Sequence, residues 1–242
     1  MGSGSIRSRS LMEKEKMNKT LKLSKRLRAA ADLVRQDAYI ADVGTDHAYL
    51  PIALCLEGRI RGAVASDINE GPILRAREHI NEYGLNDRIK TVLTDGLDKI
   101  SEYEPTDILI LGMGGELIAN IISRASFTKD KAVRLILQPM THPEALRKFL
   151  AENGYDIVDD TFVSEEKKIY QVICAEYTGK TYEYSDVELL LGKKNIERGG
   201  ELLTGTVERF ISVFSERMRG KKMSGADTSE EEKILAELEE LK

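Results

Sequence analysis

Residues 39–47 (Tyr-Ile-Ala-Asp-Val-Gly-Thr-Asp-His) constrain this chain more than any other stretch. Residues 39–43 form a short apolar run with a β-branched end, the pattern of a buried strand, and Asp42 is the one charge inside it. Gly44 follows at once, where a chain leaving a strand turns sharply only without a Cβ in the way. Residues 48–56 then read as a helix with Pro51 near its start, where a missing N–H is tolerated. Strand, glycine turn and helix start are the part of an α/β sheet that receives a ligand. A dinucleotide fingerprint is excluded, because G-x-G-x-x-G requires glycines where this chain has Asp46 and Tyr49. One glycine with two acidic residues suits a ligand that carries hydroxyls and an ammonium or sulfonium group.

The rest of the chain repeats the unit at short spacing. Strands are expected over 62–67, 89–93, 107–111 and 133–137, the last ending in Gln138-Pro139. Helices are expected over 71–83, 116–123 and 142–153, with Gly84 and Gly154 as stops. Ahead of the first strand, Ser24 is placed to cap a helix reaching Val34. This βαβα order implies right-handed crossovers and an open, mostly parallel sheet. Residues 155–163 and 169–177 are separated by too few residues for a crossover helix, so they are expected to close the sheet as an antiparallel hairpin. Beyond about residue 179 the pattern changes. Ile196, Leu203, Val207, Phe210, Ile211, Phe214 and Met218 recur near the helical period within one helix-rich stretch, 188–219. A polar turn over 220–229 leads to a shorter helix over 230–241, a helical hairpin or coiled-coil-like appendage. The expected domains are therefore a tag or disordered tail (1–17), a sheet domain (18–178) and a helical hairpin domain (179–242).

Composition removes several function classes. The mean hydropathy is −0.33 and no apolar run approaches the ~18 residues of a membrane span. Cys55 and Cys174 sit in apolar surroundings and read as buried free thiols, and the three histidines are widely spread, so neither a disulfide nor a metal site is expected. A cytoplasmic monomer fits these features. The net charge of −5 opposes a wholly basic nucleic-acid coat. It leaves room for a local one, since residues 13–28 hold seven cations (Lys14, Lys16, Lys19, Lys22, Lys25, Arg26, Arg28) against two glutamates.

Four stations mark the expected site. The first is Gly44 with Asp42, Thr45, Asp46 and His47. Asp67, with Ile68 beside it, is the second; it lies 23 residues past Gly44. That is near the ~20 expected for a carboxylate that accepts ribose hydroxyl bonds. Asp95-Gly96 is the third, placed to accept from an adenine amino group. Gly112, Met113, Gly114 and Gly115 are the fourth, where glycines let a ligand or a base approach the backbone. Three carboxylates on successive strand ends select a nucleoside. The Asn/Asp-Pro-Pro-Tyr/Phe device that holds an exocyclic amine in many methyltransferases is absent, which disfavours amino-group methylation.

Five segments together carry a family resemblance: 23–27 (Leu-Ser-Lys-Arg-Leu), 41–51 (Ala-Asp-Val-Gly-Thr-Asp-His-Ala-Tyr-Leu-Pro), 95–97 (Asp-Gly-Leu), 112–115 and 135–139 (Leu-Ile-Leu-Gln-Pro). They resemble the bacterial TrmK family, tRNA (adenine-N1)-methyltransferases acting on adenine 22 of the D-arm. The likeness covers about residues 20–178, and the helical appendage matches in kind. It implies a class I methyltransferase domain, Rossmann-like, with a seven-stranded sheet. It also implies S-adenosylmethionine as cofactor, tRNA as partner, and a C-terminal helical domain that helps hold tRNA. Thr45 stands where the family often has Ser, and Asp67 where it often has Glu; both keep the functional group.

Adenine N1 carries an in-plane lone pair, so attack on a sulfonium methyl needs alignment and a dry pocket, not a base. Positive charge arrives on the purine, which a nearby carboxylate stabilises. Asp46 is the first candidate for that role and His47 the second, either orienting the base or simply starting the helix; Tyr49 stacks or packs. An acidic protein must grip tRNA with local basic faces. Lys25, Arg26 and Arg28 on the first helix, and Arg217, Arg219, Lys221 and Lys222 at a helix end of the appendage, are the expected anchors. Two other functions fit part of the pattern. A nicotinamide-dependent oxidoreductase lacks its glycines here, and a non-enzymatic RNA-binding protein leaves the three carboxylates unexplained.

Overall fold

The computed structural model describes residues 21–242; the expected tail over 1–17 and the cations Lys14, Lys16 and Lys19 lie outside that range. Ser24 caps helix α1 (Lys25–Asp32), its extended backbone letting Oγ accept from the Leu27 N–H at 3.4 Å. The helix ends at Asp32, short of Val34, and buries Ala30 and Ala31.

Seven strands form one sheet in the order β3-β2-β1-β4-β5-β7-β6. They are β1 (Ala38–Val43), β2 (Ile60–Asp67), β3 (Ile89–Leu93), β4 (Asp107–Gly114), β5 (Arg134–Thr141), β6 (Tyr155–Glu165) and β7 (Lys168–Tyr177). β1 runs parallel to both β2 and β4, and β2 parallel to β3. β6 and β7 form the antiparallel hairpin. The helices between them are α2 (Tyr49–Leu56), α3 (Glu70–Glu82), α4 (Gly115–Ser123) and α5 (Pro143–Glu152). Ile40, Val64, Ile108, Leu109, Leu135 and Ile136 are fully buried, as apolar runs on two-sided strands require. Ile73, Ala76 and Ile80 are the buried face of α3, and Gly84 stops it at φ +69°.

Two strands exceed their sequence-based bounds. β4 continues through Gly112 to Gly114, and β5 runs past Gln138 and Pro139 to Thr141. Gln138 is buried and its side-chain amide donates to the Pro139 carbonyl at 2.8 Å, so the polar pair stays in the strand instead of ending it.

The helical part also departs from expectation. In place of one stretch over 188–219 there are α6 (Asp186–Leu191), α7 (Lys193–Arg198) and α8 (Glu201–Met223), followed by α9 (Ser229–Glu240). Gly192 (φ +84°) separates α6 from α7, while Gly199 (φ +68°) and Gly200 (φ +100°) separate α7 from α8. A Cβ on Gly192 would lie 2.1 Å from Asp160 Oδ2. The predicted turn over 220–229 is shorter, because α8 continues to Met223 and α9 begins at Ser229. Val187, Leu191, Leu203, Val207, Phe214, Ile234 and Leu238 make a core joining α6, α8 and α9; of the expected stripe Leu203, Val207 and Phe214 are in this core, Ile196, Phe210 and Ile211 pack against it, and Met218 does not.

The chain divides into two compact units. One holds the described residues through Leu111 with Ile121–Ile136; the other holds Gly112–Asn120 and Leu137–Lys242. Inside the second unit lies a fully buried ion pair, with Arg147 Nε donating to Asp160 Oδ2 at 2.8 Å. Arg147 also donates to Gln171 and to the Leu189 carbonyl, and Asn195 donates to Asp160 Oδ1 at 2.9 Å. Arg198 donates to the Asp160 carbonyl at 2.6 Å and to the Asp159 carboxylate. These bonds fasten α5, the β6–β7 hairpin and the start of the helical segment to one another.

Candidate functional site

The β1 exit is tied to β2 by its own backbone. Gly44, at φ +76°, and Thr45 both donate their N–H groups to the Ser66 carbonyl, at 2.8 and 2.9 Å. Thr45 is buried, and its Oγ1 accepts from the Ala48 N–H at 3.0 Å. Ala48 itself is left-handed (φ +55°), so α2 starts at Tyr49 and His47 lies in the turn, not in the helix. Beneath the turn Asp42 is buried; burial pushes its carboxyl up to about 6, and a hydrogen bond with Thr45 pulls it partly back.

Asp46 points to solvent but is held from two sides. Arg75 on α3 donates Nε to Oδ1 at 3.1 Å, and His47 Nε2 lies 3.1 Å from Oδ2. Arg75 first, and His47 second, hold the Asp46 carboxyl below the usual carboxylate range. The His47 ring stacks on Tyr49 (4.9 Å between centroids, 9° between planes) and lies 5.0 Å from His79. His79 completes the group, 5.1 Å from Tyr49, with Nδ1 3.2 Å from the His47 carbonyl. His47 Nδ1 is buried with no hydrogen-bond partner among the described residues. With Nε2 against a carboxylate, the network assigns the proton of neutral His47 to Nε2.

Asp67 ends β2, and its Oδ1 accepts from the Asn69 N–H at 2.7 Å, closing an Asx turn. One oxygen is thus engaged, and the remaining lone pairs are available to hydroxyls. Ile68, next in sequence, is 62% exposed, and Leu93, the register partner of Asp67 on β3, is 47% exposed. These two side chains give the strand exits an apolar surface that a flat ring would cover. At the β3 exit Asp95 pairs with Arg124 at 3.0 Å, which holds its carboxyl low. Gly96 is left-handed (φ +52°), and a Cβ there would lie 3.1 Å from Ile121 and Arg124.

The four residues at the end of β4 divide in role. Gly112 takes φ +79°, and Met113 is half-buried. A Cβ on Gly115 would lie 2.2 Å from the His142 carbonyl oxygen, and one on Gly114 would lie 3.2 Å from Thr141 Oγ1. Gly115 is therefore required by the approach of the chain itself, not only by a ligand.

The expected RNA anchors are similarly mixed. Lys25 is exposed, while Arg28 is bonded to both oxygens of Glu57. On α8, Lys221 pairs with Glu231 at 2.7 Å and Lys222 with Glu232 at 3.0 Å, so both lysines stitch α8 to α9. Arg217 lies over the Phe214 ring at 5.0 Å, and Arg219 is exposed. Arg75 and Arg124 were not singled out by sequence reasoning, which reads His79 only as a helix residue serving structure or solvent contact. A basic residue on an exposed helix face carries no mark of the carboxylate it meets 29 positions away, the separation in both arginine pairs.

The β1, β2 and β3 exits thus offer carboxylate lone pairs, a glycine turn and two exposed apolar side chains, which fits a nucleoside with a cationic centre. Among the described residues there is no group of three or more histidine, cysteine or acidic side chains arranged for a metal, and no helix long and apolar enough to cross a membrane.

A methyltransferase domain family matches residues 23–173. The tRNA (adenine(22)-N(1))-methyltransferase of Bacillus subtilis is 38% identical over 172 residues, which is 71% of this chain and 72% of that protein. The crystal structure of B. subtilis TrmK, an M1A22 tRNA methyltransferase, superposes with a TM-score of 0.78 at 32% identity, covering 91% of this chain and 95% of that one. Sp1610 of Streptococcus pneumoniae, solved in complex with S-adenosyl-L-methionine, superposes with a TM-score of 0.79 at 30% identity, covering 90% and 99%.

Proposed function

The chain belongs to the TrmK family of tRNA (adenine-N1)-methyltransferases, and from that premise we propose that it methylates N1 of adenine 22 in the tRNA D-arm with S-adenosylmethionine. The observation that carries this reading is the row of carboxylates at three adjacent parallel strand exits, Asp42 and Asp46 on β1, Asp67 on β2 and Asp95 on β3. Asp67 would hold the ribose hydroxyls with the lone pairs left by Asn69, and Ile68 and Leu93 would cover the adenine faces. Asp95 would accept from the adenine amino group with the oxygen that Arg124 leaves. Gly44 and Thr45 would shape the turn around the cationic centre, with Asp42 beneath it. When bound, S-adenosylmethionine supplies an electrophilic sulfonium methyl.

The residues of this chain then have three tasks. They exclude water, align the N1 lone pair with the methyl carbon, and receive the charge that arrives on the purine. Asp46 suits the last task, because Arg75 and His47 fix its direction and keep it ionised at neutral pH. The stacked His47, Tyr49 and His79 rings keep that side of the turn rigid. No proton is removed from N1, so His47 serves by orientation. Arg217 and Arg219 on α8, with Lys25 and Arg26 on α1, are proposed to meet tRNA phosphates; Arg28, Lys221 and Lys222 would first have to leave their glutamates.

Nucleoside mass spectrometry of tRNA incubated with the protein and S-adenosylmethionine tests the reading. The expected product is 1-methyladenosine. Cys55 and Cys174 are both buried, one in α2 and one in β7, so no thiol is available for pyrimidine C5 chemistry. A product consisting only of 5-methylcytidine or a 2′-O-methylnucleoside would overturn it.

A further inference from the structure

Beside the outer side of β3 lies a cleft of about 540 Å³ that none of the four stations uses. β3 is the first strand in the sheet order and, among the described residues, has a partner strand only on its β2 side. Arg77 from α3, Asn86, Lys90, Thr91 and Tyr103 line the cleft, with the buried Ile80 among them. The nearby carboxylates Glu78, Glu82, Asp87, Glu102 and Glu104 are not part of its lining.

The two cations of the cleft are held differently from five others at the strand exits and on the outer helices. Arg28, Arg75, Arg124, Lys221 and Lys222 each sit on a carboxylate. Arg77 Nε instead donates to the Thr91 hydroxyl at 2.8 Å, and Lys90 Nζ to the Asn86 carbonyl at 3.0 Å. Neutral acceptors orient a cation without cancelling its charge. Both Nη groups of Arg77 remain without a protein partner among the described residues, and a guanidinium edge matches two phosphate oxygens. Lys90 adds a point charge, and Tyr103 in the lining is an aromatic side chain of the kind on which a sugar or base stacks. In a chain of net charge −5, a cleft lined by two uncompensated cations and no acid is an anion site. Thr91 is three residues before Thr94 at the β3 exit, about 10 Å along a strand.

We propose that this cleft binds backbone phosphates of the RNA substrate, as an anchor separate from α1 and α8. The proposal rests on the reading of the chain as a tRNA methyltransferase. It is tested by measuring tRNA binding of the full chain across a salt titration, for the parent, for Arg77→Gln with Lys90→Gln, and for Lys90→Gln alone. Removing one phosphate-binding cation lowers the salt slope by about 0.7–0.9, so the double variant should fall short of the parent by about 1.4–1.8. For curves that meet near 1 M salt, that is roughly thirty-fold weaker binding at about 0.1 M. The KM for tRNA should rise, while the turnover rate at saturating tRNA and the calorimetric affinity for S-adenosylmethionine stay at the parent values. Parental slopes in both folded variants overturn the proposal. If the double variant does not fold, Lys90→Gln decides alone, by a slope reduced by about 0.7–0.9 or not at all. A parent that forms 1-methyladenosine with variants that bind like it removes only the cleft; a parent that forms none removes the functional reading.

Discussion

The β1 exit and the Arg147–Asp160 knot are built from the same side chains and do opposite things. In the knot an Asp meets an Arg with both side chains at most 1% exposed, and an amide and main-chain carbonyls take up further bonding capacity. At the β1 exit an Asp also meets an Arg, but Asp46 is 62% exposed and shares its second oxygen with a histidine. Beneath it Asp42 is buried with a single hydroxyl for company. A saturated buried network has nothing left to offer a ligand, and its contribution is to hold elements together. A carboxylate held in place with spare lone pairs, or buried without a countercharge, retains capacity that a ligand can use. The presence of an ion pair is therefore uninformative about function; what each partner has left over is informative.

Removing one partner from each region is the strongest way to break the comparison. Asp160→Ala strands the Arg147 guanidinium in a buried site and should cost about 3–5 kcal/mol of stability in urea denaturation. A loss below about 1 kcal/mol would mean that the knot is not structural. Asp42→Asn should act in the other direction. The Asp42 carboxyl titrates near 6 in the folded protein against 3.8 ordinarily. Its contribution to stability is thus full below about pH 4 and is lost as pH rises through about 6. The cofactor-free variant should gain about 2–3 kcal/mol over the parent at pH 8 and almost nothing at pH 4. A gain that is equal at the two pH values would refute the assignment.

Smaller effects sharpen the contrast. Asp67→Ala should weaken S-adenosylmethionine binding by about 1.5–3 kcal/mol, the worth of charge-assisted bonds, with the fold retained. Unchanged calorimetric affinity would take Asp67 out of the site. The least costly test separates paired from unpaired cations on one helix. Lys221→Gln with Lys222→Gln should leave the salt dependence of tRNA binding at the parent value, whereas Arg217→Gln with Arg219→Gln should lower its slope by about 1.4–1.8. Equal slopes for the two pairs would show that the α9 glutamates do not withhold the lysines.

The sheet was legible because most strands are short apolar runs bounded by glycine or a carboxylate, and each crossover helix keeps its period. The hairpin was legible from the few residues between two apolar runs. The geometry of the candidate site was half legible. Asp42, Gly44, Asp67 and Asp95 announce themselves by sitting at strand ends, where local sequence sets position. Arg75, Arg124 and His79 do not, because their partners come from other elements. The split of the helical stretch at Gly192 was missed for the same reason. A single glycine within helical periodicity costs little, and the Asp160 carboxylate that leaves no room for a Cβ at Gly192 comes from a distant strand. The continuation of β5 through Gln138 and Pro139 also depends on burial that a linear pattern does not carry.

The Arg198 bonds bear on how this protein avoids sticking to itself. β6 is the last strand of the sheet and is 11 residues long, the kind of border that invites a second chain to add a strand. α7 packs beside it, and Arg198 takes up the Asp160 carbonyl and the Asp159 carboxylate, next to a pairing irregularity between Ile157 and Asp159. The helical segment is thus a cover as well as an appendage. A chain cut after residue 178 to isolate the sheet would lose that cover together with the Asn195 and Leu189 partners of the knot. It would then expose a long strand border to intermolecular pairing, so such a fragment is a sample prone to aggregate and not a smaller enzyme.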